Sequence, residues 1–198
     1  MSDPFVIGLT GNIATGKSVV AQMLADRGAE AIDADRVAHA LMRPGTLAHA
    51  AIVERFGAQV LRDDGGIDRA RLGSQVFSDP QALADLERIL HPAVIREVEL
   101  RIEETSAAVV VVEAIKLIEA GMAETCDAIW VTICPAEERV RRLVEERGMS
   151  RADARQRVAA QPPQSKKVAH ADVVIDTEGT LASTRAQVEA AWHRLKPL

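Results

Sequence analysis

Cysteine is scarce in this chain of 198 residues: only Cys126 and Cys134 occur, and neither lies in a CxxC pair or a Cys/His cluster. That excludes a disulfide scaffold and a zinc module, and leaves two ordinary buried thiols suited to a reducing compartment. Positive charge is also in short supply, with 24 Lys and Arg against 29 Asp and Glu, a net charge of −5. A phosphate backbone needs a basic footprint, so nucleic acid is excluded as the main partner. No apolar run approaches the ~18 residues of a membrane span, and the opening MSDPFVIGLTG lacks the basic n-region of a signal peptide. Low-complexity segments and repeats are absent. The expectation is a soluble, cytoplasmic protein without a membrane partner. A chain this long buries ~70% of its unfolded surface, so one domain with insertions is the default.

Five short apolar runs are present: Phe5 to Thr10, Glu30 to Ile32, Ala108 to Val112, Ala128 to Ile133 and Asp172 to Ile175. The third and fourth are apolar continuously rather than alternately, as in strands of a parallel sheet covered by helices on both faces. Helical patterns lie between them. Lys17 to Arg27 carries Val20, Met23 and Leu24 on one face and stops at Gly28. Asp79-Pro80 opens a helix, Pro92 is expected to open the next one after His91, and Thr180 caps a last helix through Trp192. Trp130, Trp192, Phe5, Phe56 and Phe77 read as core. Strand and helix in alternation predict an α/β fold with right-handed crossovers.

The spacing between strands is uneven. Residues 35–106 are helical or loop in pattern, far beyond the ~12 residues of an ordinary crossover, and read as a helical insertion beside the sheet. Residues 136–170 form a second excursion, rich in arginine (139, 141, 142, 147, 151, 155 and 157) and broken by Pro162 and Pro163. It is expected to act as a lid over the core, which comprises 1–34, 107–135 and 171–198.

Gly11, Asn12, Ile13, Ala14, Thr15, Gly16, Lys17 and Ser18 match GxxxxGK[ST] in full, with a strand before and an amphipathic helix after, as the motif requires. Gly11 and Gly16 let the backbone turn so that successive N–H groups face a polyphosphate. Lys17 neutralises β- and γ-phosphates, and the Ser18 hydroxyl is placed to ligate Mg²⁺. No guanine-reading NKxD occurs, which argues against a switch GTPase. A small-molecule kinase using ATP is expected.

Longer strings carry a family resemblance: IGLTGNIATGKS (7–18), DAD (33–35), GGIDRARLGSQVF (65–77), LERILHP (86–92), LIEAG (117–121), RVAAQ (157–161) and ADVVID (171–176). Through them nearly the whole chain resembles the dephospho-coenzyme A kinases. The resemblance implies ATP-dependent phosphorylation of the ribose 3′-hydroxyl of dephospho-CoA, the last step of CoA biosynthesis. It also implies a three-layer P-loop fold with a five-stranded parallel sheet, a helical CoA-side insertion and a mobile lid. The chain departs from the family pattern at Asn12 and Ala14, usually glycines, and at Ile115 to Glu119, usually proline-leucine-leucine-phenylalanine-glutamate, with Lys116 inside it. It departs again at Glu146, usually a lid arginine, and at Thr177, usually asparagine.

Asp33 ends the second strand at the carboxyl edge of the sheet, where open α/β folds bind ligands. It is the candidate general base for a hydroxyl acceptor, with helix capping as its alternative. Asp35 either positions the acceptor or magnesium or caps the helix. Arg142, where the family's lid motif lands, is the candidate clamp for the transferring phosphate, and otherwise pairs with Glu138 or Glu146. Arg69 is a candidate contact for the acceptor's pyrophosphate, and otherwise pairs with Asp68 or Asp64. His91 reads first as structural and second as a substrate contact. Glu113, ending the third strand, either holds a magnesium-bound water or is an ordinary strand-end acid. Another small-molecule kinase of this architecture and a nucleotide-gated switch are the competing functions. The long insertion argues against the first, and Asp33 beside the phosphate loop against the second.

Overall fold

The computed structural model describes residues 3–195. Five strands, β1 (Phe5–Thr10), β2 (Glu30–Asp33), β3 (Val109–Glu113), β4 (Ala128–Ile133) and β5 (Val173–Asp176), form one sheet in the order β2-β3-β1-β4-β5. Every pairing is parallel. The continuous apolar runs have the expected cause. Val110, Val111 and Val112 of β3 and the first five residues of β4 are all buried, because helices cover both faces.

The chain divides into two compact units. The first comprises 1–33 and 104–198. It contains the sheet together with α1 (Lys17–Ala25), α6 (Ala136–Arg147), α7 (Arg151–Ala159), α8 (Ser165–Val168) and α9 (Leu181–Trp192). Its core packs Ile7, Leu9, Val20, Leu24, Val111, Trp130, Ile175 and Val188, each 1% exposed or less. A second cluster, of Val140, Leu143, Ala154 and Val158, joins α6 to α7 and packs against Ile13 and Ala14. Side-chain caps fix the helix starts: Ser150 accepts from the Asp153 N–H at 3.1 Å and Thr180 from the Ser183 N–H at 3.1 Å.

The second unit, 34–103, holds α2 (Ala34–Leu41), α3 (Leu47–Phe56), α4 (Arg69–Ser78) and α5 (Pro80–Glu104), the last of which runs one residue past the boundary. Its own core joins Ile52, Phe56, Val60, Ile67, Leu72, Val76 and Ala82. Two expectations are corrected here. No new helix opens at Pro92, because α5 runs without interruption from Pro80 to Glu104. Proline removes one N–H, but the helix is anchored by buried residues on both sides of it, Ala82 and Asp85 before and Val94 and Val98 after. Phe77 is not core but 85% exposed. α4 buries Leu72 and Val76, four residues apart, and Phe77 lies a further ~100° around the helix from Val76.

Candidate active site

The phosphate loop follows β1 at the carboxyl edge of the sheet. The connections from β1 and β3 leave in opposite directions there, which is the switch point where open α/β sheets bind ligands. Two glycines are dictated by sterics. A Cβ on Gly11 would lie 2.4 Å from Thr132 Oγ1 and 2.6 Å from the Thr132 carbonyl oxygen, so the backbone runs hard against β4. Gly16, at φ 81°, turns left-handed to start α1. The Thr15 and Thr132 hydroxyls share a 2.7 Å hydrogen bond, and Thr15 also donates to the Asn12 carbonyl at 2.8 Å. Lys17, 7% exposed, folds its ammonium back to 3.2 Å from the carbonyl oxygens of Gly11 and Asn12.

Three of the four residues between the glycines, Asn12, Ile13 and Ala14, are fastened to the 136–170 excursion. Asn12 Nδ2 donates to the Pro162 carbonyl at 2.9 Å, and the Ile13 N–H donates to Gln161 Oε1 at 2.8 Å. Ala14 adopts φ 59°, a left-handed conformation that costs an alanine ~1–2 kcal/mol. Its packing against the α6–α7 cluster gives a reason for a methyl there rather than a glycine. The departures at 12 and 14 thus add contacts to the excursion.

Glu113 and Asp33 are register partners at the carboxyl ends of β3 and β2. The Ser18 hydroxyl donates to Glu113 Oε1 at 2.9 Å. A helix-start hydroxyl therefore reaches one strand-end carboxylate beside the loop, and a second acid is that residue's register partner on the neighbouring strand. Such hard oxygen donors, few in number, suit Mg²⁺, which keeps several waters and takes other ligands from phosphates.

Arg142 turns inward from α6. It donates to the Thr177 hydroxyl at 3.1 Å, to the Ala14 carbonyl at 3.3 Å and, through Nη2, to the Thr177 carbonyl. Glu138 accepts its Nε at 3.0 Å, so the ion pair given above as the alternative exists alongside the loop contact. Thr177 itself donates to the Thr15 carbonyl at 2.9 Å, tying the end of β5 to the loop. Other arginines of the excursion have outward partners: Arg141 pairs with Glu138 and Glu145, while Arg151 and Arg155 pair with Glu137. Glu146 is exposed.

The remaining candidates belong to the second unit. Asp35 is exposed in the first turn of α2, and His91 is half-buried within α5. Arg69 is exposed at the start of α4. Asp68 caps that helix and pairs with Arg71, and Asp64 pairs with Arg62, so neither pairing considered for Arg69 forms. Sequence reasoning gave no site role to Gln161, Pro162 or Lys167. Buried Lys167 donates to the Ile115 carbonyl and to Glu119 Oε1, both at 2.7 Å, fixing the segment in which Lys116 lies. Gln161 ends the RVAAQ string, and that was the signal available for it.

The dephospho-CoA kinase family model matches residues 5–183. The chain belongs to the dephospho-CoA kinase family. It is accordingly an ATP-dependent kinase, with the P-loop α/β fold and the place at the end of CoA biosynthesis that the sequence implied. A dephospho-CoA kinase of Geobacter sulfurreducens is 44% identical over 195 residues, covering 97% of this chain and 99% of that one. A crystal structure from Thermus thermophilus superposes with TM-score 0.85 at 31% identity, covering 98% of this chain and all of its own. The Campylobacter jejuni dephospho-CoA kinase, at 23% identity and TM-score 0.67 over 96% of both chains, shares the fold. Among the described residues no helix is long and apolar enough to cross a membrane.

Proposed function

We propose that the enzyme moves the γ-phosphate of ATP to the ribose 3′-hydroxyl of dephospho-CoA with Asp33 as general base. The acceptor oxygen forms its bond to the γ-phosphorus, the bond from that phosphorus to the β-bridging oxygen breaks, the acceptor proton passes to Asp33, and ADP leaves. Loop N–H groups between Gly11 and Ser18, other than the Ile13 N–H held by Gln161, hold the polyphosphate, while Lys17 and Arg142 hold the charge on the transferring group. Ser18 and Glu113 would hold Mg²⁺, which when bound would neutralise charge on the β- and γ-phosphates. Asp35, Arg69 and His91 are assigned to the acceptor. Residues 136–170 act as a lid that excludes water, and the cytoplasm is the compartment.

The observation that carries this reading is the pairing of Asp33 with Glu113 beside the Ser18 hydroxyl. Glu113 is engaged by the loop hydroxyl, and Asp33 ends the neighbouring strand at the same register, a placement that supports a base beside a metal-side acid. A coupled assay of ADP release, with Mg-ATP and dephospho-CoA, tests it on wild type and Asp33→Asn. The variant should bind ATP normally and lose turnover by ~100-fold or more. Near-normal turnover would reduce Asp33 to a helix cap. Release with a nucleoside monophosphate or sugar acid, and none with dephospho-CoA, would make the enzyme a different small-molecule kinase.

A further inference from the structure

Arg139 differs from every other arginine of the 136–170 excursion. It is 6% exposed, it has no carboxylate partner among the described residues, and its Nε is buried with no hydrogen-bond partner. Burial pulls its guanidinium below the ordinary arginine range. A buried cation without a counter-charge opposes folding, so a fold that keeps one calls for a use of the charge. The one side-chain hydrogen bond of Arg139 among the described residues points to that use: Nη1 donates to Gln161 Oε1 at 3.5 Å. The same oxygen accepts the Ile13 N–H of the phosphate loop at 2.8 Å.

Two donors from different elements thus converge on one side-chain oxygen. An amide can turn over and exchange its oxygen for its NH₂ group. Here a flip would set NH₂ against both a cation and an amide N–H, so Arg139 fixes which end of Gln161 meets the loop. Once Gln161 is fixed, Ile13 is held, and the adjoining Pro162 carbonyl holds Asn12. We infer that Arg139 is a positioning residue for nucleotide binding: through Gln161 it sets the conformation of Asn12, Ile13 and Ala14, and its uncompensated charge adds to that of Lys17 beside an anionic ligand. This rests on the reading that the loop receives the polyphosphate of ATP.

The test combines calorimetric binding of a non-hydrolysable Mg-ATP analogue with steady-state kinetics and melting, on Arg139→Met, Arg139→Lys, Gln161→Leu and the Met/Leu double variant. Arg139→Met should raise the analogue's Kd and the ATP KM about tenfold, with kcat and the KM for dephospho-CoA within about threefold of wild type. Its melting temperature should hold or rise, because the substitution removes an unpaired buried charge. A residue serving only to hold the fold together would lose stability along with affinity. Arg139→Lys should recover most of the affinity, Gln161→Leu should match the Met variant, and the double variant should be no worse than the weaker single one.

An Arg139→Met enzyme that binds the analogue like wild type overturns the inference, as does a double variant whose losses add. If Arg139→Met fails to fold, Gln161→Leu with Arg139 intact decides, and unchanged affinity there is equally fatal. Wild type that binds no analogue overturns the ATP reading itself; wild type that binds, with unaltered variants, overturns the role of Arg139 alone.

Discussion

The two compact units put their polar residues to different work. In the first, backbone and side chains around the loop hold one another: Thr15 with Thr132, Asn12 with Pro162, Ser18 with Glu113, and Arg142 with Ala14 and Thr177. In the second, the buried polar group is Asp85, 8% exposed, which binds Arg55 and Arg88 at 2.6 Å each and joins α3 to α5. That cluster is architecture. The residues of this unit assigned to the acceptor lie on helix surfaces, and two large apolar side chains, Leu47 and Phe77, stand exposed on it. The contrast follows from the ligand groups involved. A polyphosphate is bound by backbone N–H groups, so the chain that carries them must be fixed in place. An organic acceptor can be met by side chains on helices that already have their own core.

Arg142 and Arg69 give the largest expected difference between the units. Arg142→Met should lower kcat by ~100- to 1,000-fold, the cost of losing one donor aimed at developing charge. Arg69→Ala should raise the dephospho-CoA KM about tenfold and leave kcat nearly intact, the signature of a group that binds ground and transition states alike. If the two profiles coincide, the division between loop side and acceptor side is wrong. The phenylalanines come next, as a stability contrast inside the second unit. Phe56, 4% exposed, should cost ~3–5 kcal/mol on truncation to alanine. Phe77→Ala should stay within ~0.5 kcal/mol in urea melts. A large loss at Phe77 would show that something covers it in solution.

Much of the first unit was legible in the sequence, because strand and motif constrain each other. β1 and β4 begin and end where their apolar runs do, and the loop pattern fixes which residues face a phosphate. Asp33 and Glu113 could each be placed at a strand end. Their pairing could not, because register belongs to the sheet rather than to either strand. The roles of Gln161 and Arg139 were hidden for a related reason: Gln161 acts on Ile13, 148 positions away, and Arg139 acts through Gln161, and no local period records that. Phe77 misled because an aromatic residue in a helical pattern reads as core until the buried face of its helix is known. Pro92 misled because proline reads as a helix start, although burial on both sides of it can carry a helix across it.

Glu138 offers the smallest effect and a check on how Arg142 is held. Its carboxyl lies well below the ordinary value of 4.5, at about 2, first because Arg141 donates to it and then because Arg142 does. The folded state therefore binds the proton more weakly than the unfolded chain, and the interaction stabilises the fold at neutral pH. That contribution is present above pH 4.5 and is lost as the pH falls towards 2. Because the cluster faces solvent on the Arg141 side, the gain should be no more than ~1 kcal/mol. Glu138→Gln should accordingly melt slightly lower than wild type at pH 7, and the gap should close on acidification. Since Glu138 also orients Arg142, the same variant at pH 7 should lose a few-fold in kcat, well short of the loss in Arg142→Met. A gap in melting that persists at pH 2 would mean that Glu138 acts through packing rather than charge. An unchanged kcat would mean that Thr177 and the Ala14 carbonyl hold Arg142 in place without it.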